Sequence, residues 1–260
     1  MGAGEVEQNT GALFRLDGVH RQWGGNVALD DLSLTIKPGE LVLLAGPSGS
    51  GKTTLLRMLA GVLRPSKGTI QVEGADLMRM VTRDLRRHQA RCGIVEQGAL
   101  LVPQLNVHRN VLAGRLAHMP WHMVVLSAFL RVDQRPVREL LEMVSLADRQ
   151  WDVAANLSGG EQQRVSVCRA LISSPMIILA DEPTSSLDPR TANDVTHLLI
   201  EQARKRNATL VFSSHWLSLV LNDVDRLIGL RRGRLVIDAP PKDVDDDTLD
   251  YLYRGTHERS

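Results

Sequence analysis

GPSGSGKT, residues 46–53, is the stretch that decides the fold. It fits the pattern G-x-x-x-x-G-K-[ST] and lies between the apolar run 41–44 and the apolar positions of residues 54–59. This order predicts a strand, a glycine loop and a helix. In such a loop, successive backbone N–H groups converge on one anion at the positive end of the following helix. A simple glycine turn is the alternative, but the pattern arises by chance in only roughly one chain in a hundred of this length.

The positions of this phosphate loop have separate predicted roles. The backbone surrounds the phosphates of a nucleotide, Lys52 reaches the β and γ phosphates, and the hydroxyl of Thr53 binds Mg²⁺. The predicted nucleotide-binding residues of this stretch are Gly46, Pro47, Ser48, Gly49, Ser50, Gly51, Lys52, Thr53 and Thr54.

Length and composition limit what else the chain can be. Its 260 residues suffice for one large α/β domain or two modest ones. With 31 Lys and Arg against 30 Asp and Glu, the formal net charge of +1 gives no sign of a nucleic-acid partner. Cys92 and Cys168 lie in apolar stretches, which predicts buried thiols in a reducing compartment.

No apolar run reaches the 18 residues that a membrane span requires, and residues 123–130 form the longest candidate. Residues 1–11 lack the basic and apolar segments of a secretory signal. If the protein acts at a membrane, we expect another chain to cross it.

Polar residues follow three predicted strands. Gln97 comes after the strand 92–95, Asp181 and Glu182 after the wholly apolar strand 176–180, and His215 after the strand 208–213. In α/β sheets, ligands bind at the carboxyl ends of strands. A solvated strand end or a surface histidine is the alternative for Gln97 and His215. Two adjacent carboxylates suggest chemistry instead: Asp181 holds Mg²⁺ through water, and Glu182 orients and polarises the attacking water.

Two further stretches allow two interpretations each. Trp23, followed by two glycines, is either a loop anchor or a stacking surface for adenine. Ser158 and Glu161 form a capping box at the start of a helix, but Gly159 and Gly160 weaken its first turn by about 1 kcal/mol each. Bare backbone that must approach a phosphate at the helix N-terminus explains both glycines.

Helical patterns replace strand patterns between residues 98 and 174. Within this stretch, residues 107–130 include Trp121 and Met123 and form either core or an exposed surface for a partner. Asp188 precedes Pro189 and is predicted to cap the next helix. Residues 226–238 read as a closing hairpin, and we expect the acidic segment that follows Pro240 to be loosely held.

Together, GPSGSGKT, Gln97, LSGGEQ (157–162), IILADE (177–182), SSLD (185–188) and His215 resemble an ATP-binding-cassette (ABC) ATPase over residues 14–253. The resemblance implies an α/β P-loop NTPase with a RecA-like core sheet, an antiparallel β subdomain and a helical insertion. A single domain would span 12–255. Its core would be residues 12–97 and 175–240, its helical subdomain 98–174, and its C-terminal tail 241–260.

The same resemblance implies residue roles. Two cassettes would pair head to tail, so that the signature residues Ser158, Gly159, Gly160 and Glu161 bind ATP held by the partner. Trp23 would take the adenine-stacking place, and Asp188 would belong to the loop that couples the two sites. Catalysis would fall to Glu182, His215, Gln97 and Lys52, and the Mg²⁺ ligands would be Thr53, Gln97 and Asp181. Glu96 and Trp216 depart from the residues that are frequent at their positions.

Further stretches, including NVLAGRL (110–116) and DDTLDYLY (246–253), resemble the ATPase of bacterial phosphonate importers. This implies an ATP-hydrolysing subunit at the cytoplasmic face of the cell membrane. Its partners would be a second copy of the chain, transmembrane permease subunits and, through them, a periplasmic or lipid-anchored substrate-binding protein. Compact cassettes also power exporters and lipoprotein release, which is the main alternative. Soluble cassette proteins of translation or DNA repair are a further alternative, but they usually carry two cassettes or a long coiled coil.

Overall fold

Two β-sheets and the helices around them form the described part of the chain. The computed structural model describes residues 11–118, 134–214 and 216–254. The strands are β1 (Phe14–Trp23), β2 (Asn26–Ile36), β3 (Leu41–Ala45), β4 (Lys67–Val72), β5 (Ala75–Asp76), β6 (Cys92–Val95), β7 (Ile177–Ala180), β8 (Thr209–Ser213), β9 (Arg226–Arg231) and β10 (Arg234–Ala239). The helices are α1 (Lys52–Leu59), α2 (Thr82–Arg91), α3 (Val107–Leu112), α4 (Arg135–Met143), α5 (Gly159–Leu171), α6 (Pro189–Arg206), α7 (Leu217–Val220) and α8 (Asp246–Arg254).

The six-stranded sheet positions the site. Its order is β10-β9-β3-β8-β7-β6, with parallel pairing from β9 to β6 and antiparallel pairing of β10 with β9. Every residue of β3 and β7 is buried, so both strands are covered on both faces, as predicted from the wholly apolar sequence of β7. Because β3, β6, β7 and β8 run parallel, their carboxyl ends lie at one edge of the sheet.

The four-stranded sheet is antiparallel and has the order β2-β1-β4-β5. Residues 32–36 of β2 alternate between apolar and polar types, and accordingly Leu32, Leu34 and Ile36 are buried and Ser33 is exposed. This sheet forms a second hydrophobic cluster with one face of the six-stranded sheet and with α1. The predicted hairpin of residues 226–238 is also confirmed, as β9 and β10.

The described part of the stretch 98–174 is helical, as predicted. It contains α3, α4, α5 and short 3-10 turns, and its one β feature is an isolated bridge between Asn106 and Val153. The helices share a hydrophobic cluster with the large sheet, in which Val165 of α5 and Leu43 of β3 take part. The boundaries of a separate helical subdomain stay a prediction. Trp121 and Met123 lie outside the described residues.

The prediction of a loosely held segment after Pro240 is wrong for the described residues 241–254. They form a 3-10 turn and then α8. Leu252 is fully buried, and Val244 and Leu249 pack against the cluster of the large sheet. The acidic residues suggested a solvated tail, but two leucines three positions apart give α8 an apolar face that docks on the core.

Neither cysteine is in a disulfide, and burial raises the pKa of the Cys92 and Cys168 thiols to about 12. Cys168 is fully buried, as predicted, whereas Cys92 is only partly buried. Within residues 11–118, 134–214 and 216–254, no helix combines the length and apolar character that a bilayer crossing needs.

Candidate functional site

The phosphate loop connects β3 to α1 at the carboxyl edge of the large sheet. Gly46, Gly49 and Gly51 have φ values of 139°, 77° and 111°, a region that favours glycine. A Cβ atom on Gly46 would overlap with the carbonyl oxygen of Leu230, and one on Gly51 would lie 2.5 Å from the carbonyl oxygen of Ala28. The conformation of this loop therefore depends on its glycines.

Lys52 begins α1, and its ammonium group is turned back to the loop. Its Nζ donates hydrogen bonds to the carbonyl oxygens of Gly46 at 2.7 Å and Pro47 at 3.1 Å. Burial lowers the pKa of Lys52, and the carboxylates of Glu182 and Asp181 act in the opposite direction. The lysine is thus held at the loop by carbonyl oxygens, which phosphate oxygens can replace.

One cavity of about 380 Å³ joins the loop to Gln97 and Glu182, two of the predicted catalytic residues. Its lining consists of Trp23, Ala28, Ser48, Gly49, Ser50, Gly51, Lys52, Thr53, Thr54, Gln97 and Glu182. The hydroxyl of Ser50 is buried and makes no hydrogen bond within the described residues, so it can serve a ligand in this cavity. The glycine cradle, the ammonium group and this hydroxyl fit a nucleotide triphosphate.

Trp23 lies at the end of β1 and is 52% exposed. The guanidinium carbon of Arg21 lies 3.9 Å from the centre of its ring. Arg21 thus occupies one face of the indole, and a stacked adenine would need the other face. The structure therefore agrees with either interpretation of Trp23, because a loop anchor would also be held in this way.

The two adjacent carboxylates follow β7 as predicted. Gln97 donates a hydrogen bond from its Nε2 to Oε2 of Glu182 at 2.9 Å. Ser213, the last residue of β8, accepts a bond from the backbone N–H of Glu182 at 2.8 Å and donates to Oδ1 of Asp181 at 2.9 Å. The ends of β6, β7 and β8 therefore bring Gln97, the two carboxylates and Ser213 into one hydrogen-bonded network.

The residues predicted to bind Mg²⁺ fit a hard cation. Thr53 and Asp181 both line a second cavity of about 310 Å³. Gln97 uses its amide nitrogen toward Glu182, which leaves its amide oxygen as a possible ligand. A hydroxyl, an amide oxygen and a carboxylate are the donors that Mg²⁺ prefers.

The signature residues form the start of α5. The Ser158 hydroxyl accepts a bond from the N–H of Glu161 at 3.3 Å, and the Glu161 carboxylate accepts one from the N–H of Ser158 at 2.8 Å, so the predicted capping box is present. The Ser158 N–H and the Ser158 hydroxyl, which donate to the Glu161 carboxylate at 2.8 Å and 2.9 Å, lower the pKa of Glu161. A Cβ on Gly159 would meet no atom within 4 Å, and one on Gly160 would meet the flexible side chain of Leu187 at 3.0 Å. Packing within the chain therefore does not require Gly159.

Asp188 caps α6, as predicted, and accepts bonds from the N–H groups of Arg190 at 3.2 Å and Thr191 at 3.1 Å. Hydrogen bonds from Thr191 lower its pKa. None of the signature residues, nor Asp188, lines the cavity over the phosphate loop of the same chain. His215 lies outside the described residues.

The sequence motifs assign no role to three residues that contact these loops. Besides Ser213, Arg169 of α5 donates to the carbonyl oxygens of Leu100 at 2.8 Å and Ala99 at 3.1 Å, just after Gln97. Tyr253 of α8 contacts the backbone of Gly46. The position of Ser213 at the end of a predicted strand was a usable signal, whereas the contacts of Arg169 and Tyr253 depend on the folded chain.

Comparison with known proteins agrees with this geometry. The ABC transporter family matches residues 29–185. The phosphonates import ATP-binding protein PhnC 2 of Trichodesmium erythraeum is 40% identical over 232 residues, which are 88% of each protein. PhnC of Frankia casuarinae is 41% identical over 245 residues, 94% of this chain and 97% of that protein.

Solved structures agree as well. The dimeric structure of the bacterial ABC transporter cassette MJ0796 matches this chain with a TM-score of 0.77 at 28% identity. The match spans 89% of this chain and 100% of the MJ0796 chain. A post-hydrolysis dimer of the same cassette, bound to ADP and phosphate, has a TM-score of 0.76. The chain therefore belongs to the ABC transporter family, as one of its ATP-hydrolysing subunits.

Proposed function

We propose that this subunit powers the import of phosphonates or a related phosphorus oxyanion. Two relatives named as phosphonates import ATP-binding proteins are 40% and 41% identical over most of the chain. The observation that carries the ATPase role is the single cavity lined by the phosphate loop, Gln97 and Glu182. The subunit works at the cytoplasmic face of the cell membrane, where permease subunits connect it to a periplasmic or lipid-anchored substrate-binding protein.

The residues of one chain have distinct parts in hydrolysis. The N–H groups of the phosphate loop and the ammonium group of Lys52 bind the phosphates, and Trp23 stacks on adenine. Thr53, Gln97 and Asp181 hold Mg²⁺, which neutralises charge on the phosphates when it is bound.

Glu182 orients and polarises the attacking water. Its carboxylate oxygen Oε2 accepts a hydrogen bond from Nε2 of Gln97 at 2.9 Å. Ser213 binds the backbone N–H of Glu182 and the carboxylate of Asp181 at once, which links the turn that carries Glu182 to the metal-binding carboxylate. His215 contacts the γ-phosphate in this proposal.

The site is completed by a second copy of the chain. Ser158, Gly159, Gly160 and Glu161 present the N-terminus of α5 to ATP held by the partner, and Asp188 belongs to the loop that couples the two sites. Two observations support this pairing. The signature residues do not line the cavity of their own chain, and Gly159 has no packing role there. ATP binding would close the dimer and hydrolysis would open it, which drives the permease between two orientations.

The test is reconstitution of the chain with its permease subunits in proteoliposomes. ATP hydrolysis should rise when a substrate-binding protein loaded with a phosphonate is added on the opposite side, and labelled phosphonate should accumulate inside. A sulfonate of the same carbon skeleton is the matched control. Stimulation by a lipoprotein or by a substrate that leaves the vesicles, with none by a phosphorus oxyanion, would contradict the proposal and favour export or lipoprotein release.

A further inference from the structure

The C-terminal helix reaches the phosphate loop. The backbone N–H of Gly46 donates a hydrogen bond to the hydroxyl oxygen of Tyr253 at 3.4 Å. Gly46 is the first residue of the loop, and Tyr253 lies 207 positions later, in the last turn of α8. The contact therefore joins the end of the described chain to the beginning of the nucleotide site.

Several contacts fix the position of Tyr253. Arg231, at the end of β9, donates from Nη1 to the carbonyl oxygens of Tyr251 and Leu252, each at 2.7 Å. These charge-assisted bonds satisfy two carbonyl groups in the last turn of α8, where a positive charge is also favourable. The side chain of Leu252, next to Tyr253, is fully buried in the cluster of the large sheet. The hydroxyl of Tyr253 is thus presented by a docked helix end.

Gly46 is a sensitive point in the loop. It follows β3, and the carbonyl oxygen of Leu230 on the neighbouring strand β9 leaves no room for a Cβ. Its own carbonyl oxygen accepts the 2.7 Å hydrogen bond from Lys52. One residue therefore binds Tyr253 through its N–H and the phosphate-binding lysine through its carbonyl group, so a change in its orientation moves the groups that meet the nucleotide.

We propose that Tyr253 is a positioning residue for nucleotide binding and that the docked C-terminal helix is a structural part of the phosphate loop. The hydroxyl holds the Gly46 N–H in the orientation at which the loop accepts phosphate, so less order has to be created when ATP binds. Loss of one neutral hydrogen bond of this kind weakens nucleotide binding about three- to tenfold. The inference rests on nucleotide binding at the loop and is independent of the imported substrate.

The first test compares Tyr253→Phe with Tyr251→Phe, which removes a hydroxyl from the same helix two positions away. Dissociation constants for ADP and for a non-hydrolysable ATP analogue are measured on the full-length chain, together with the thermal midpoint without nucleotide. Tyr253→Phe should bind both nucleotides about three- to tenfold more weakly, and loss of the same hydrogen bond should lower its thermal midpoint by no more than roughly 2–4 °C. Its KM for ATP should rise while kcat stays within about twofold of the parent, as for an interaction made equally in the ground and transition states. Tyr251→Phe should match the parent in both dissociation constants, in KM and in kcat.

The second test asks whether the end of α8 affects nucleotide binding through the contact between Tyr253 and Gly46. Arg231→Gln removes the charge-assisted bonds to α8 and should also weaken ADP binding. In the Tyr253→Phe background it should add little, since the contact to Gly46 is already gone. Parental affinity in Tyr253→Phe would overturn the inference and leave the ATPase assignment intact. Equal losses in Tyr253→Phe and Tyr251→Phe, with lowered midpoints, would also overturn it, because they would show only that α8 contributes to stability.

Discussion

Glu182 holds an unusual backbone conformation at the end of β7. Its φ is 46°, in the left-handed region, which costs of order 1–3 kcal/mol for a residue with a side chain. The Ser213 hydroxyl binds its N–H at 2.8 Å and Gln97 binds its carboxylate at 2.9 Å. These contacts stabilise the strained turn and aim the carboxylate into the cavity over the phosphate loop.

We expect Glu182→Gln to reduce kcat at least about a hundredfold and to leave ATP binding intact, because the amide keeps the shape of the side chain but cannot polarise water. Turnover and the dissociation constant for ATP are measured side by side. Lys52→Ala is the contrasting variant, which should weaken ATP binding itself, and Glu201→Gln on the exposed face of α6 is the matched control. Parental turnover in Glu182→Gln would show that another group orients the water.

We expect the hydroxyl of Ser213 to affect Mg²⁺ binding more than the stability of the fold. Its hydroxyl is a hydrogen-bond donor to Asp181 and an acceptor for the N–H of Glu182. In Ser213→Ala, Asp181 is less well held as a metal ligand, so we expect the Mg²⁺ concentration for half-maximal ATPase activity to rise about three- to tenfold. The adjacent buried Ser214, whose hydroxyl binds the N–H of Trp216 at 3.0 Å, supplies the control variant Ser214→Ala. An unchanged Mg²⁺ requirement would contradict this role.

The site residues predicted from the sequence are specified by local patterns, whereas those that the sequence analysis missed depend on contacts between distant parts of the chain. Lys52, Gln97 and Glu182 either belong to a local pattern or follow a recognisable strand, so their position at the sheet edge is determined over a few residues. Ser213 and Tyr253 gain their roles from contacts with residues 31 and 207 positions away, between Ser213 and Glu182 and between Tyr253 and Gly46. Such pairings depend on strand order and helix docking, which local patterns do not specify.

At the scale of an element, the proposed function gives the four residues at the N-terminus of α5 a second role besides capping the helix. Ser158 and Glu161 cap the helix, and Gly159 keeps its first turn bare although nothing crowds it. Because two orphan N–H groups are satisfied by the capping box, the helix starts at a defined residue. The same backbone is then available to bind an anion from another chain.

Two substitutions at Ser158 should separate these functions. Ser158→Ala removes the cap, which costs about 1 kcal/mol and lowers the thermal midpoint by roughly 2–4 °C in a chain of this size. Ser158→Asp keeps a good capping side chain, so its midpoint should stay near that of the parent, but its negative charge would face the phosphates of the partner's ATP. We expect ATPase activity to be lost in Ser158→Asp. Full activity in this stable variant would show that the position does not meet a phosphate.

The elements themselves were predictable to different degrees. β3 and β7 are continuous apolar runs between glycine or proline signals, and the amphipathic spacing after Pro136 defines α4, so both kinds of element follow from local sequence. The docking of α8 was not predicted, because its first residues are acidic and its apolar face is short. What decides its position is the burial of Leu252 and the bonds from Arg231 on a distant strand.

At the scale of the whole molecule, the proposed pairing requires one chain to carry two incomplete halves of a site. The cavity over its phosphate loop is lined by residues of the first half of the chain and by Glu182, whereas the capped glycines of α5 lie elsewhere. A closed cyclic pair of chains, in which each contributes both surfaces once, would complete two sites at a time. Because the two surfaces are on the same chain, each can be disabled separately.

Mixing two inactive variants tests this arrangement. Lys52→Ala disables the phosphate loop of its own chain, and Ser158→Asp disables the surface offered to the partner. In a mixed dimer both defects fall on one site, and the other site is built from two intact surfaces. We expect each variant alone to be nearly inactive and an equimolar mixture to regain up to about a quarter of parental ATPase activity, since half of the dimers are mixed and each has one intact site.

A mixture of Lys52→Ala with Glu182→Gln is the matched control and should stay inactive, because those two residues act on the same chain's ATP and every dimer then has a defect in both sites. If the first mixture also stays inactive while mixed dimers are shown to form, the two surfaces do not meet across the pair.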